Sequence, residues 1–600
     1  MAAYDIVFAG GGTTACVVAG RIADAAPHLS ILILEAGKHS ENVKVHVQPG
    51  RYFANLASGA DSFTYHQAKP SKALDNRQVI VPAGKTVGGG SSVNFMMYTR
   101  GSPSDMDDWE KLGNPGWGAK DLIPLANKAR TRRQRPQLSN ILAQMQTRVA
   151  RQWMEVMAAR DSERGFVADA NDLSASTINK YSPWSRYMSA SSGKRSDAAH
   201  HYIYNKSRKN VHILTQCRVK RVIFEGTRAV GVEYINTLDK TRVESVRAAK
   251  FIVLASGAFG SPAILERQVP LRSTFILFMS PVRSGIGGAD LLGTLEIPQL
   301  VDLPGVGENY NDHDLLIPPY MAPANEITMD EIFRGDELAI KPYEERWLKD
   351  GKGMMAHNGI EACIKIRPNA RDLDVLGPDF ASRWETFFKD QPDKPVMCMG
   401  PAAAYTGKNP AAVGHKFFSM IYYIEYPSSI GRTHIQGPDP FLPLAFEPGY
   451  LDKRDDVALL RWSYKLTREM ARRMDSYRGE FSPDHPQFTD TSRARCGPAE
   501  GPVPINAPDI EYTKEDDEAI DRFHRAYVST AWHALGTCAM KPRSVGGVVD
   551  SRLNVYGVQG LKIADLSIVP TNVGCNTYST ALMVGEKAAT ILAEELGVKV

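Results

Sequence analysis

The chain has 600 residues, 43% hydrophobic and 23% charged, with a formal net charge of +4. That length exceeds what one hydrophobic core usually supports, so two closely joined domains are expected, and the near-neutral charge gives no reason to expect a nucleic-acid partner. Seven cysteines, spread from Cys16 to Cys575 without a C-x-x-C pair, argue against a disulfide framework or a zinc site and fit a reducing compartment.

The first predicted strand begins within about five residues of Met1, leaving no room for a signal peptide, and no apolar run approaches the roughly 18 residues of a membrane span. An intracellular location, cytoplasmic or peroxisomal, is therefore expected, although the C-terminal Leu596-Gly597-Val598-Lys599-Val600 is not an S-K-L type address. This strand, residues 4–9, runs into Gly10-Gly11-Gly12-Thr13-Thr14-Ala15. Gly10 and Gly12 supply a tight turn and close backbone approach to a pyrophosphate at the next helix N-terminus, and Ala15 fills the third fingerprint position. Ile31-Leu32-Ile33-Leu34 reads as a buried parallel strand ending on Glu35, about 20 residues past the glycines, where a carboxylate can accept from ribose hydroxyls. The pattern is a dinucleotide site.

A second glycine cluster, Gly88-Gly89-Gly90-Ser91-Ser92-Val93-Asn94-Phe95-Met96-Met97-Tyr98-Thr99-Arg100-Gly101, offers another set of backbone N–H groups for an anion or a flavin edge. Residues 250–262 read as a buried strand breaking into a Gly/Pro turn. Residues 416–423 are strand-like and could cover a flavin, whereas residues 334–347 have the look of a solvated helix. His200, His201 and His313 are scattered without ligand spacing and are read as structural, and no metal site is expected. Near the C-terminus stand Trp532-His533-Ala534-Leu535-Gly536-Thr537-Cys538, Gly560-Leu561-Lys562-Ile563-Ala564-Asp565 and Asn572-Val573-Gly574-Cys575-Asn576-Thr577-Tyr578.

Taken together, these segments resemble the glucose-methanol-choline (GMC) flavoprotein oxidoreductases, and more narrowly the fungal alcohol (methanol) oxidases, over most of the chain. The resemblance implies an α/β fold in which a Rossmann-like FAD-binding domain (1–155, 195–320 and 510–600) is interleaved with an α+β substrate-binding domain (156–194 and 321–509). It implies FAD rather than NAD, with Gly10, Gly12, Thr13, Thr14 and Glu35 around the adenosine diphosphate half. Gly90, Ser92, Asn94 and Thr577 would lie by the flavin half, with Val219 at the adenine and Asp565 beside the pyrophosphate and ribityl chain. His533 and Asn576 are the expected catalytic pair. A histidine suits the role of base because its pKa lies near operating pH, and asparagine can donate to a developing alkoxide.

Phe95, Met97 and Trp532 would narrow the pocket to short primary alcohols. The implied reaction is oxidation of a primary alcohol to an aldehyde with O₂ as acceptor, giving H₂O₂, in a homo-oligomer. Alternatives are a tailoring oxidoreductase or dehydrogenase acting on a larger alcohol in secondary metabolism, and a flavin-binding protein without turnover. Two stretches depart from the family. Residues 268–283, containing Phe275-Ile276-Leu277-Phe278-Met279, interrupt the family motif before Ser284-Gly285-Ile286-Gly287 and suggest a retained intron. Residues 130–154 carry six arginines and no acid where a His-Gly-x-x-Gly-Pro lid is normal, and suggest a damaged segment or a basic amphipathic helix.

Overall fold

The computed structural model describes residues 3–128, 147–171, 173, 177–267 and 285–600. Two seven-stranded sheets organise the described residues. In the first, the strand order is Val211–Leu214, Ile31–Leu34, Ala3–Ala9, Val243–Leu254, Arg228–Asn236 and Cys217–Glu225. Leu561–Ile563 adds in parallel to the end of Val243–Leu254. The pairs around Ala3–Ala9 are parallel, and the Arg228–Asn236 hairpins are antiparallel. Every residue of Ile31–Leu34 is buried, as a parallel strand covered on both faces requires.

The helix Thr13–Ala25 leaves the first strand through the glycine turn and packs on the final helix, Tyr578–Leu596. Their contact is close because Gly585 has no side chain: a Cβ there would come within 2.8 Å of Val17 Cβ. The final helix therefore returns the C-terminal motif to the N-terminal turn, some 560 residues away in sequence. None of the described helices is long and apolar enough to cross a membrane.

The second sheet runs Ser529–Thr530, Asp314–Leu316, Lys416–Ile424, Met397–Ala402, Ala362–Ile366 and Tyr181–Pro183, all antiparallel, with Pro319–Ala322 also on Lys416–Ile424. Side chains of Lys416–Ile424 alternate between two cores, as the period of a strand dictates. Phe418, Met420, Tyr422 and Ile424 join the core under the helix Arg454–Ala471. Ile421 and Tyr423 join a smaller cluster with Leu315, Ile360 and Ala531, against which Phe95, Met97 and Trp532 pack.

All seven cysteines carry free thiols. The segment 268–283 and the first part of the basic stretch, 130–146, lie outside the described residues. From Arg148 onward that stretch is part of an ordinary core helix, Arg148–Arg160, whose Val149, Trp153, Met154 and Met157 are buried. Residues 148–154 are thus integrated into the fold. The expected solvated helix is Glu337–Asp350, which does bury Ile340 and Trp347 while placing Leu338 and Leu348 in solvent.

Candidate active site

A cavity of about 510 Å³ joins the two sheets. At one end it is lined by Gly10, Gly12, Thr13, Thr14, Glu35 and Val219. Gly10 adopts φ +103°, and a Cβ there would meet the Ala255 carbonyl oxygen at 2.5 Å, so only glycine fits the turn. The following helix has Gly12 at its N-cap, no side-chain cap and no acidic residue in its first turn. Its leading N–H groups are left for an anion in the cavity, where the helix dipole favours negative charge. The Glu35 carboxylate braces the turn, accepting at 2.8 Å from Gly11 N–H and at 2.8 Å from Gly37 N–H, and burial raises its pKa.

The second glycine cluster is locked onto the first. Gly88 N–H donates to Gly11 O at 2.8 Å, and the Thr13 hydroxyl donates to Gly88 O at 3.1 Å. Gly90 and Asn94 line the cavity, and a Cβ on Gly90 would meet nothing within 4 Å. Asn94 is held by Arg195, whose Nη1 donates to the Asn94 Oδ1 and carbonyl oxygen, each at 2.8 Å. The Ser92 hydroxyl donates to Val87 O at 3.0 Å and the Ser91 hydroxyl to Gly88 O at 2.7 Å, with Ser91 on the cavity lining. Asp565 lines the wall and accepts from Gly257 N–H at 2.9 Å, the Ser261 hydroxyl at 2.5 Å and Ser567 N–H at 2.8 Å. Thr577 lies on the same wall.

The far end is aromatic and apolar. Phe95 packs with ring centroids 4.7 Å from Trp532 and 4.4 Å from Tyr52, and Met97, Leu315, Ile317, Ile360 and Ile421 complete the lining. Met96 (φ 60°) and Trp532 (φ 61°) are left-handed non-glycine residues flanking this end, a conformation that persists only where surrounding contacts over-determine it. Trp532 N–H is tied to the Thr530 hydroxyl at 2.7 Å.

His533 and Asn576 meet here. His533 Nε2 lies 3.3 Å from Asn576 Nδ2, and His533 N–H donates to Asp312 Oδ1 at 3.0 Å. Asn576 Oδ1 accepts from the Thr99 hydroxyl at 2.9 Å and the Tyr423 hydroxyl at 3.4 Å, while Asn576 N–H donates to Thr99 Oγ1 at 2.7 Å. Burial, and then the neighbouring His313, hold His533 well below the usual histidine range, so it rests as neutral imidazole.

His313, read from the sequence as structural, stands directly behind the base: its Nδ1 is 2.8 Å from His533 Nδ1, and its Nε2 is 3.1 Å from Val573 O. Burial lowers its pKa to about 4. Glu425 Oε2 lies 3.9 Å from His313 Nε2, and burial pushes that carboxyl up to about 8. Sequence reasoning also missed Thr99 and Tyr423. Thr99 sits inside the second glycine motif, and Tyr423 was within a strand expected to cover the flavin, so both were in segments already singled out.

The GMC oxidoreductase family model matches in two parts, over residues 4–315 and 427–585, and the chain belongs to this family. It is 36% identical to an alcohol oxidase of Pichia angusta, covering 99% of this chain and 95% of that one. Its identity to an alcohol oxidase of Candida boidinii is 35%, again over 99% and 95%. An oxygen-dependent choline dehydrogenase of Escherichia coli is 28% identical, over 98% and 95%. Among solved structures, an FAD-dependent oxidoreductase from Chaetomium thermophilum superposes with a TM-score of 0.78 at 24% identity, covering 99% of this chain and 100% of that one. A formate oxidase gives 0.78 at 21%, covering 99% and 98%.

Proposed function

We propose that the protein oxidises a short primary alcohol to its aldehyde and passes the electrons to O₂, forming H₂O₂. It is an FAD-dependent oxidoreductase acting on CH–OH groups. The residues present fit FAD: an uncapped helix N-terminus for the pyrophosphate, a buried acid at the second strand's end, and at Gly90 a backbone whose missing Cβ leaves the cavity open. Gly10, Gly12, Thr13, Thr14, Glu35 and Val219 would hold the adenosine diphosphate part, and Gly90, Asn94, Asp565 and Thr577 the rest. When bound, FAD supplies the hydride acceptor.

The observation that carries the reading is the neutral, buried His533 with Nε2 beside Asn576 at the apolar end of the cavity. The alcohol loses a hydride from carbon and a proton from oxygen; His533 Nε2 takes the proton, and the Asn576 amide donates to the alcohol oxygen as its charge grows. A positioned base of this kind is worth roughly 10² to 10⁴-fold. Phe95, Met97 and Trp532 restrict the space beside the reacting carbon. The relatives named alcohol oxidase support the substrate class and O₂ as acceptor.

The test is anaerobic bleaching of the flavin absorbance by methanol, ethanol and a benzylic alcohol, followed by air and peroxide detection. Bleaching by the short alcohols and peroxide on reoxidation are expected. Bleaching by the benzylic alcohol alone moves the substrate to a larger alcohol, and no bleaching by any of them rejects alcohol oxidation.

A further inference from the structure

We propose that His313 is a positioning residue that fixes the tautomer of His533, leaving Nε2 of His533 as a bare lone pair, with the Val573 carbonyl as the fixed end of the chain. The inference rests on the reading of His533 as the base. The geometry permits one proton arrangement once both rings are neutral. Val573 O can only accept, so His313 Nε2, 3.1 Å away, carries the proton. His313 Nδ1 is then an acceptor, and its 2.8 Å partner, His533 Nδ1, must be the donor. A neutral His533 with its proton on Nδ1 has none on Nε2. Asn576 must therefore turn its Nδ2 toward His533, which is the orientation that lets its Oδ1 accept from Thr99 and Tyr423.

Every link is buried: His313 is 0% exposed and Asn576 6%. The groups facing His313 are Asp312, His533, Tyr423 and Glu425, whose ring or side-chain contacts enclose it. Burial lowers His313 to about 4 and raises Glu425 to about 8, which keeps both uncharged near neutral pH. Were they instead an imidazolium–carboxylate pair, His313 Nδ1 would donate, and the chain would reverse and place a proton on His533 Nε2. When His533 accepts the alcohol proton on Nε2, its Nδ1–H still donates to His313, so the new imidazolium keeps its orientation and a neutral acceptor.

The experiment compares the holoenzyme with His313→Leu and His313→Asn, using single-turnover anaerobic flavin reduction by the best alcohol. Asparagine can present an amide oxygen where His313 Nδ1 stood, and leucine cannot. The expected result is a limiting reduction rate at least about 10-fold lower in His313→Leu, with alcohol Kd unchanged within about twofold, and His313→Asn recovering most of the loss. Equal impairment of both variants, or a leucine variant as fast as the parent, overturns the proposal.

Should either variant lose its flavin, ¹⁵N-histidine NMR of the parent holoenzyme decides directly: His533 must show an imine-type Nε2 and a protonated Nδ1, and the opposite tautomer overturns it. If the parent is not reduced by any alcohol, the proposed function fails while the NMR readout still settles the tautomer.

Discussion

Glu425 lies fully buried at the end of the Lys416–Ile424 strand, and neither carboxyl oxygen has a hydrogen-bond partner among the described residues. Burial is the leading cause of its raised pKa, about 8 against an ordinary 4.5; Lys365 opposes the rise and Asp105 adds to it. The folded state therefore holds an acid that the unfolded chain ionises. Folding is unpenalised by this group below pH 4.5, loses stability as pH rises from there, and reaches a constant loss above about pH 8.

At about 1.4 kcal/mol per pH unit, the loss at pH 7 is on the order of 3 kcal/mol. Glu425→Gln keeps the shape and removes the titration. Its buried amide carries a cost of its own, but that cost does not change with pH, so the slope rather than the offset is diagnostic. An unfolding entropy of about 2.1 cal/mol/K per residue over a chain of this size converts each kcal/mol to about 1 °C. The Tm of Glu425→Gln minus that of the parent is expected to climb by about 3 °C between pH 5 and pH 8 and then level off. A difference that stays flat across that range refutes the buried neutral acid, and with it the uncharged Glu425 assigned beside His313.

Replacing His533 with alanine should slow anaerobic flavin reduction by roughly 10² to 10⁴-fold while flavin absorbance per protein is retained; full-rate reduction by alcohol in that variant would remove His533 from the base role. Phe95→Ala removes ring contacts at 4.4 and 4.7 Å from Tyr52 and Trp532 and should raise kcat/KM for a benzylic alcohol relative to ethanol, at a stability cost of about 1–3 kcal/mol for this half-buried ring. An unchanged substrate ratio would show that Phe95 does not border the alcohol. Gly10→Ala sets a Cβ 2.5 Å from the Ala255 carbonyl oxygen at φ +103° and should yield protein that purifies without flavin; a stoichiometrically loaded Gly10→Ala protein would show that the turn tolerates the side chain.

The parts of the site that could be read in the sequence are those a local pattern encodes. Gly10 and Gly12 follow a strand and precede a helix within one βα unit, and backbone sterics demand glycine at Gly10, so residue type exposes the site. His533 and Asn576 stand in separate motifs, and the family resemblance brought them together before the fold did. Ser92, grouped with the flavin-facing residues, has its hydroxyl bound to Val87 O and its neighbour Ser91 has its own bound to Gly88 O, engagements with the backbone that residue type alone cannot reveal.

His313 was invisible for a different reason. Its partners, His533 and Val573, are 220 and 260 residues away, and a lone histidine between Asp312 and Asp314 has no spacing that announces either. The antiparallel contact of Asp314–Leu316 with Ser529–Thr530, continued by the Ala531 N–H to His313 O bond and the Asn311–Leu535 bridge, brings His313 beside the base, so its role is a property of strand register rather than of any motif. The same register explains why these three groups rest uncharged: a buried strand end removes water from His313, His533 and Glu425 together, and in that medium a neutral base with its lone pair already directed costs no reorganisation when the alcohol arrives.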